Sequence, residues 1–394
     1  MALLNFQIVM VVLTIALIGL APAICGGLGQ KSIRQEILEA ANSGVEELNL
    51  SGRRLTSLPP EIGQLVQLKK LRLDDNGLDE LPPEIGRLTH LTELYLSSNA
   101  LTGLPAEVGQ LSSLTILDVG SNQLVALPPQ IGHLSELEQL LLSNNKLKQL
   151  PPEIGQLSNL TQLQLGGNQL AALPPEIVQL SQLTTLDLVQ NQLAEVPPEI
   201  FGLPNLRNLY LGANQLTTLP PQITRLSELE SLWLRNNQLT TLPPEIGQLT
   251  QLSELDLSSN QLSELPPETG RLVKLTQLYL AHNHLTTLPA ELGQLANLTD
   301  LDLGSNQLTE VPPPIGQLAN LERLWLNNNK LNSIPPELGQ LSHLVGLSLS
   351  HNQLRELSPE LGQLAKLKAL EIEGNPLTRL PPELEQRPGL QIKR

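Results

Sequence analysis

The sequence predicts an α/β solenoid: about fifteen short parallel strands on a concave face, with short helical or 3₁₀ turns on the convex face. Three observations predict it. Asn recurs every 23 residues, at 76, 99, 122 and onward to 375, and one step earlier the same place holds Arg53. Before each Asn stands Leu-x-x-Leu-x-Leu, and after it a stretch close to Leu-Pro-Pro-Glu-Ile-Gly-Gln-Leu. Aromatic residues are 2% of the 394, too few for a compact core of that length. A fixed period with this composition marks stacked repeats rather than separate domains.

With the Asn place counted as zero, each slot has a physical reason. Leu at −5 and −3 alternates with polar residues, which reads as a short strand with one face buried. Leu or Ile at −8, +2, +5, +9 and +12 fills the remaining interior. One unit cannot stand alone, because ordering its backbone costs more than its own Leu side chains return. Stacked units share strand hydrogen bonds and one Leu core. The Asn turns inward, where its amide can donate and accept at once and so satisfy buried loop groups, making a ladder along the array. Pro at +6 and +7 cannot join a sheet and forces an extended run. Pro at +7 then opens a single short turn, Glu-Ile-Gly-x-Leu, which gives a thin back and modest curvature. Fifteen strands at about 4.8 Å make a concave sheet of roughly 70 Å.

These letters resemble the leucine-rich repeat family over most of the chain. The 23-residue length with Leu-Pro-Pro-Glu-Ile-Gly-Gln-Leu is similar to cyanobacterial leucine-rich proteins, the repeat region of Roco proteins and Ras-group-related or Scribble-like repeats. The resemblance implies a curved solenoid that binds other proteins.

The ends differ. Ile8 to Leu20 is apolar, and Ala21-Pro22-Ala23 follows as an A-x-A cleavage pattern, so residues 1–23 read as a secretory signal peptide. No Lys or Arg precedes the apolar run, so an uncleaved anchor stays open as the alternative. Residues 24–44 form an N-terminal capping segment. Within it Lys31 to Gly44 reads as a helix with Ser32 at its N-cap, Gln35 completing a capping box, Ile33, Ile37, Leu38 and Ala41 as the apolar stripe, and Gly44 as the stop. Residues 45–394 are the solenoid, with Leu390 and Ile392 offering one last partial strand.

Motifs for chemistry fail on spacing. Gly26 to Ser32, GGLGQKS, lacks the glycine before Lys31 and any strand ahead of it, so it is no phosphate loop. His282 and His284 flank the ladder Asn283 and lack further ligands in the repeat frame, so no metal or other cofactor is expected. The other histidines, 90, 133, 343 and 351, fall in unrelated slots. No nucleophile–base constellation appears, and an enzyme is not expected. The net charge of −15 argues against nucleic acid as a partner. Contact with a membrane is expected only through the N-terminal apolar segment, if it is uncleaved.

A repeat array speaks through its variable exposed slots, −6, −4 and −2. All three Tyr and both Trp fall in slot −4: Tyr95, Tyr210, Trp233, Tyr279 and Trp325. Strand preference alone would spread them over the other two slots. The densest stretch runs from Tyr210 to Trp325 and adds Asp256 and Asp302 in the same slot, with Arg235, Glu254, Asp300 and Arg323 beside it. Aromatics with both signs of charge suit a protein or peptide partner. The expectation is a monomeric, non-enzymatic binding protein, secreted, periplasmic or on the cell surface. The alternative is a membrane-anchored or cytoplasmic signalling scaffold like the Ras-group-related relatives.

Overall fold

The computed structural model describes residues 32–394. The leader at 1–23 and the Gly26 to Ser32 motif up to Lys31 lie outside them. The described residues form one sheet of 16 parallel strands in chain order, from β1 (Glu47–Asn49) to β16 (Gln391–Lys393). Every strand spans slots −6 to −4, and neighbours pair with a constant offset of 23 residues until the last, where Leu370 pairs with Ile392. The partial strand at Leu390 and Ile392 is therefore real. Each interior slot is filled as the pattern requires: in one unit Leu229, Leu232, Leu234, Leu239, Ile246 and Leu249 are fully buried and Leu242 nearly so.

The back of each full unit is a five-residue 3₁₀ turn, such as Pro244–Gln248. The preceding Pro243 is extended, at φ −69° and ψ 142°. Between turns the spacing is set at slot +10. A Cβ added to Gly247 would lie 2.3 Å from the Glu268 carbonyl oxygen of the next turn, and one at Gly316 would lie 2.3 Å from that of Glu337. Three consecutive units depart from this, with Val178, Phe201 and Thr224 in the slot. There the turns pack less closely. Phe201 lies on this convex side and is nevertheless buried, at 7% exposure, where consecutive turns stand further apart.

The Asn ladder forms as expected. Asn237 Nδ2 donates to the carbonyls of Leu211 (3.0 Å) and Leu234 (3.0 Å), and its Oδ1 accepts the Leu216 N–H at 3.0 Å. Each rung thus ties its own strand to the unit before it. Two further ladders escape a one-unit reading. In slot −9, Asn159, Asn205, Asn297 and Asn320 each donate to the carbonyl 24 residues earlier. His90 and His343 bond through Nδ1 to the carbonyls of Val66 and Ala319, so these two histidines share a slot rather than being scattered. In slot −7, Thr92, Thr115, Thr161, Thr184, Thr276 and Thr299 donate to the carbonyl 23 residues earlier.

Helix α1 (Ile33–Ser43) covers the first unit. Ser32 accepts the Gln35 N–H at 3.3 Å and Gly44 closes the helix at φ 64°. Two details differ from expectation. The Gln35 amide donates to Glu39 at 3.3 Å, one turn on, so the capping box is half made. The inward stripe is Ile33, Ile37, Ala40 and Ala41, with Ala40 rather than Leu38 facing the core.

Candidate concave binding face

The candidate residues lie on the concave sheet. Tyr95 ends β3 (Glu93–Tyr95), Tyr210 ends β8 (Asn208–Tyr210), and Trp233 ends β9 (Ser231–Trp233). Glu254 and Asp256 bound β10 (Glu254–Asp256), and Tyr279 ends β11 (Gln277–Tyr279). Asp300 and Asp302 bound β12 (Asp300–Asp302), and Arg323 and Trp325 bound β13 (Arg323–Trp325). Arg235 follows two residues after β9. The constant register places Trp233, Asp256, Tyr279, Asp302 and Trp325 side by side on successive strands. Tyr95 stands apart, near the N-terminal end.

The aromatics are half-buried rather than fully exposed. The rings of Tyr210 and Trp233 lie with centroids 4.6 Å apart at 48°, so the pair is packed before any partner arrives. The Trp233 Nε1 is buried beside the Glu254 carboxylate, near enough to favour its charge, without closing a hydrogen bond of good geometry. Arg235 likewise holds a buried Nε with no partner. Asp300 departs from its expected role. It is 2% exposed and lies under Arg323, whose guanidinium donates to both of its oxygens, through Nη2 at 3.0 Å. Asp300 therefore holds Arg323 in place, and only Arg323 faces outward.

Burial governs the electrostatics. It pushes the carboxyls of Asp256 and Asp302 above the ordinary range, against the backbone N–H groups of Ser258 and Gly304 that they accept at 2.9 Å each. Burial also raises Glu254, and it pushes the Tyr279 hydroxyl up to about 12, helped by the negative charge of Asp300 and Glu254. At the other end Glu93 is held below its usual range by Lys70, and Tyr95 OH donates to it at 2.8 Å.

His282 and His284 are both exposed, and among the described residues no group of three His, Cys, Asp or Glu side chains could hold a metal. No described helix is long and apolar enough to cross a membrane. What the face offers is aromatic area, carboxylates and two guanidiniums on a preformed sheet. The residues missed from sequence are Ser348 and Ser350, both nearly buried, on and just after β14 (Gly346–Ser348). Their signal was small size beside a Trp.

Comparison with known proteins agrees with the architecture. A model for a leucine-rich repeat region matches residues 47–123, 152–238, 222–303 and 268–377, and a second leucine-rich repeat model matches 112–170. The chain belongs to the leucine-rich repeat family. A solved leucine-rich repeat protein of Leptospira interrogans is 42% identical, with a TM-score of 0.79, covering 91% of this chain and 98% of that one. The ectodomain of the Arabidopsis thaliana receptor kinase GASSHO1/SCHENGEN3, solved with CASPARIAN STRIP INTEGRITY FACTOR 2, is 35% identical with a TM-score of 0.66. That match covers 85% of this chain and 45% of the ectodomain. A plant peptide hormone receptor, RGFR1, solved with RGF2, is 30% identical with a TM-score of 0.63, covering 88% and 70%. No curated protein matches the chain.

Proposed function

We propose that this leucine-rich repeat chain is a non-enzymatic binding protein, exported or tethered at a surface, that captures a protein or peptide on its concave face. The carrying observation is the confinement of every Tyr and Trp to one column of the sheet, with Tyr210 and Trp233 already packed ring to ring. Rigid, half-buried aromatics flanked by charge are what binding hot spots consist of. They lose little side-chain freedom when a partner covers them. Relatives at 35% and 30% identity that were solved with CASPARIAN STRIP INTEGRITY FACTOR 2 and RGF2 support a peptide or protein ligand. The apolar run at residues 8–20 and Ala21-Pro22-Ala23 support export.

The test is capture from native extract followed by titration. Trp233→Ala should weaken the captured partner by about 2–4 kcal/mol, and Glu245→Ala on the back should leave it unchanged. The reverse pattern refutes the concave reading. Mass spectrometry of the native protein tests export: a mature end at Ile24 is expected, and an intact Met1 on cytosolic protein refutes it.

A further inference from the structure

In slot −4 the C-terminal strands alternate. Trp233, Tyr279 and Trp325 stand on β9, β11 and β13. Asp256, Asp302 and Ser348 stand between and beyond them on β10, β12 and β14, and Glu371 closes the row on β15 (Ala369–Glu371). A large ring on every second strand leaves a shorter side chain in a trough. The row is thus three slots, each about 9.6 Å from wall to wall at the backbone, twice the strand spacing. Each floor carries oxygen: Asp256, Asp302, then Ser348.

The third slot is an open one. It is a depression of about 660 Å³ between Trp325 and Glu371, left by the small residues Gly346, Ser348 and Ser350. Ser350 lines it at 7% exposure, and its Oγ has no hydrogen-bond partner. A buried hydroxyl left unmatched in a built cavity is costly unless something polar arrives there.

The chain itself shows what fits such a slot. At the N-terminal end, β2 (Lys70–Arg72) supplies cations to the neighbouring ring. Arg72 sits 4.5 Å and Lys70 5.4 Å from the centre of the Tyr95 ring, and Lys70 pairs with Glu93 at 2.5 Å. Ring, carboxylate and cation are all present there. In the C-terminal row rings and carboxylates recur, but among the described residues no cation lies over those rings. Slots −6, −4 and −2 from β9 to β15 hold six acids, Glu254, Asp256, Asp300, Asp302, Glu371 and Glu373, against Arg235 and Arg323, with Lys393 of β16 lining the third depression and pairing with Glu373 at 3.5 Å. Arg323 is already committed to Asp300.

We propose that this row takes a basic peptide segment in extended, polyproline II form, with Lys or Arg at every third residue, one side chain per slot. The inference rests on the concave-face reading and names its ligand chemistry. A polyproline II turn of three residues advances about 9.3 Å, close to the two-strand pitch of about 9.6 Å. Each cation would lie against an aromatic wall and pair with the acids of its slot.

Trp233 and Trp325 are the only tryptophans, so two indole N–H signals report on the row, one at its first wall and one between its second and third slots. The probe is a synthetic peptide of four Lys-Pro-Pro repeats, titrated into the full chain and followed by nitrogen-15 NMR. Both indole signals should move to saturation. A Lys-Pro-Pro-Pro peptide, whose successive Lys turn off the face by a third of a turn, should bind at least about ten-fold more weakly. A Glu-Pro-Pro peptide should leave both signals in place. Asp256→Asn with Asp302→Asn should weaken the Lys-Pro-Pro peptide by about ten-fold or more. Asp118→Asn with Asp187→Asn, in the same column outside the row, should not. Equal binding of both Lys spacings, equal loss with either pair of substitutions, or unmoved indoles would overturn the inference. Panning random phage-displayed peptides separates it from the broader reading. Binders lost with Trp233→Ala or Trp325→Ala but without regularly spaced Lys or Arg overturn this inference and leave the concave face standing. Binders indifferent to both substitutions overturn both.

Discussion

Replacing Asn237 by Ala removes one rung of the ladder, and the neighbouring rungs set the cost. Asn237 is 8% exposed, so the groups it serves have little access to bulk water. Its Oδ1 is the acceptor for the Leu216 N–H, which is left orphaned. The carbonyls it serves fare better. Leu211 O keeps the Asn214 amide at 3.1 Å, Leu234 O keeps the Asn260 amide at 2.9 Å, and Arg235 O keeps the Ala213 N–H at 2.8 Å. The loss is therefore one unsatisfied buried donor, worth about 1–3 kcal/mol, plus weakened bonds at carbonyls that retain a partner. We expect about 2–4 kcal/mol in total, well below four independent bonds. Asn237→Asp should cost at least as much, because it keeps the acceptor but turns a second oxygen toward three carbonyls. Long arrays do not melt as two states, so the local readout matters. Urea denaturation followed by Trp233 fluorescence should show an earlier transition, and the Leu216 amide should exchange faster than its counterpart Leu239. An unchanged midpoint with a still-protected Leu216 amide would refute the reasoning.

Gly247→Ala should destabilise by about 1–3 kcal/mol through its collision with the Glu268 carbonyl, whereas Gly103→Ala, with open space around it, should not; thermal melting compares them. Asp256 and Asp302 carry raised carboxyl pKa values in the folded chain, so their ionised forms weaken the native state at neutral pH. That penalty is relieved as pH falls through the raised values, and Asp302→Asn should raise the neutral melting temperature while shrinking the gain on mild acidification. An equal gain in parent and variant would contradict this. A fragment of two central units should be unfolded by circular dichroism, with stability returning as units are added. Trp233→Ala should cost about 0.5–1.5 kcal/mol beyond its lost area through the Tyr210 ring contact, read from a urea titration followed by circular dichroism in parent and variant alike.

The interior was legible because each Leu, Pro and Asn slot has a job defined within one unit. The strand limits, the inward Asn and the single-turn back follow from Leu234, Asn237 and Pro244 alone. What escaped depends on a residue one unit away. Asn159 and His343 look idle until a carbonyl 24 residues earlier comes beside them. Slot −1 gave no warning of its left-handed backbone, which His282, Asn236 and Ser259 adopt at φ 57°, 54° and 56° without glycine. On the candidate face, the aromatic column was visible, but the hold of Asp300 on Arg323 and the burial of Ser350 were not. Both arise from a neighbouring strand supplying or withholding a partner.

The glycine at slot +10 has a consequence for how such a molecule could be reshaped. It decides how tightly consecutive turns nest along the spine, and no residue of the reading surface takes part in that decision. Val178, Phe201 and Thr224 sit directly behind the approach to Tyr210 and Trp233, so the spine is already let out where the aromatic row begins. A partner's grip could thus be widened or narrowed by edits on the side it never touches, with bend and recognition drawn from separate alphabets of the same 23 letters.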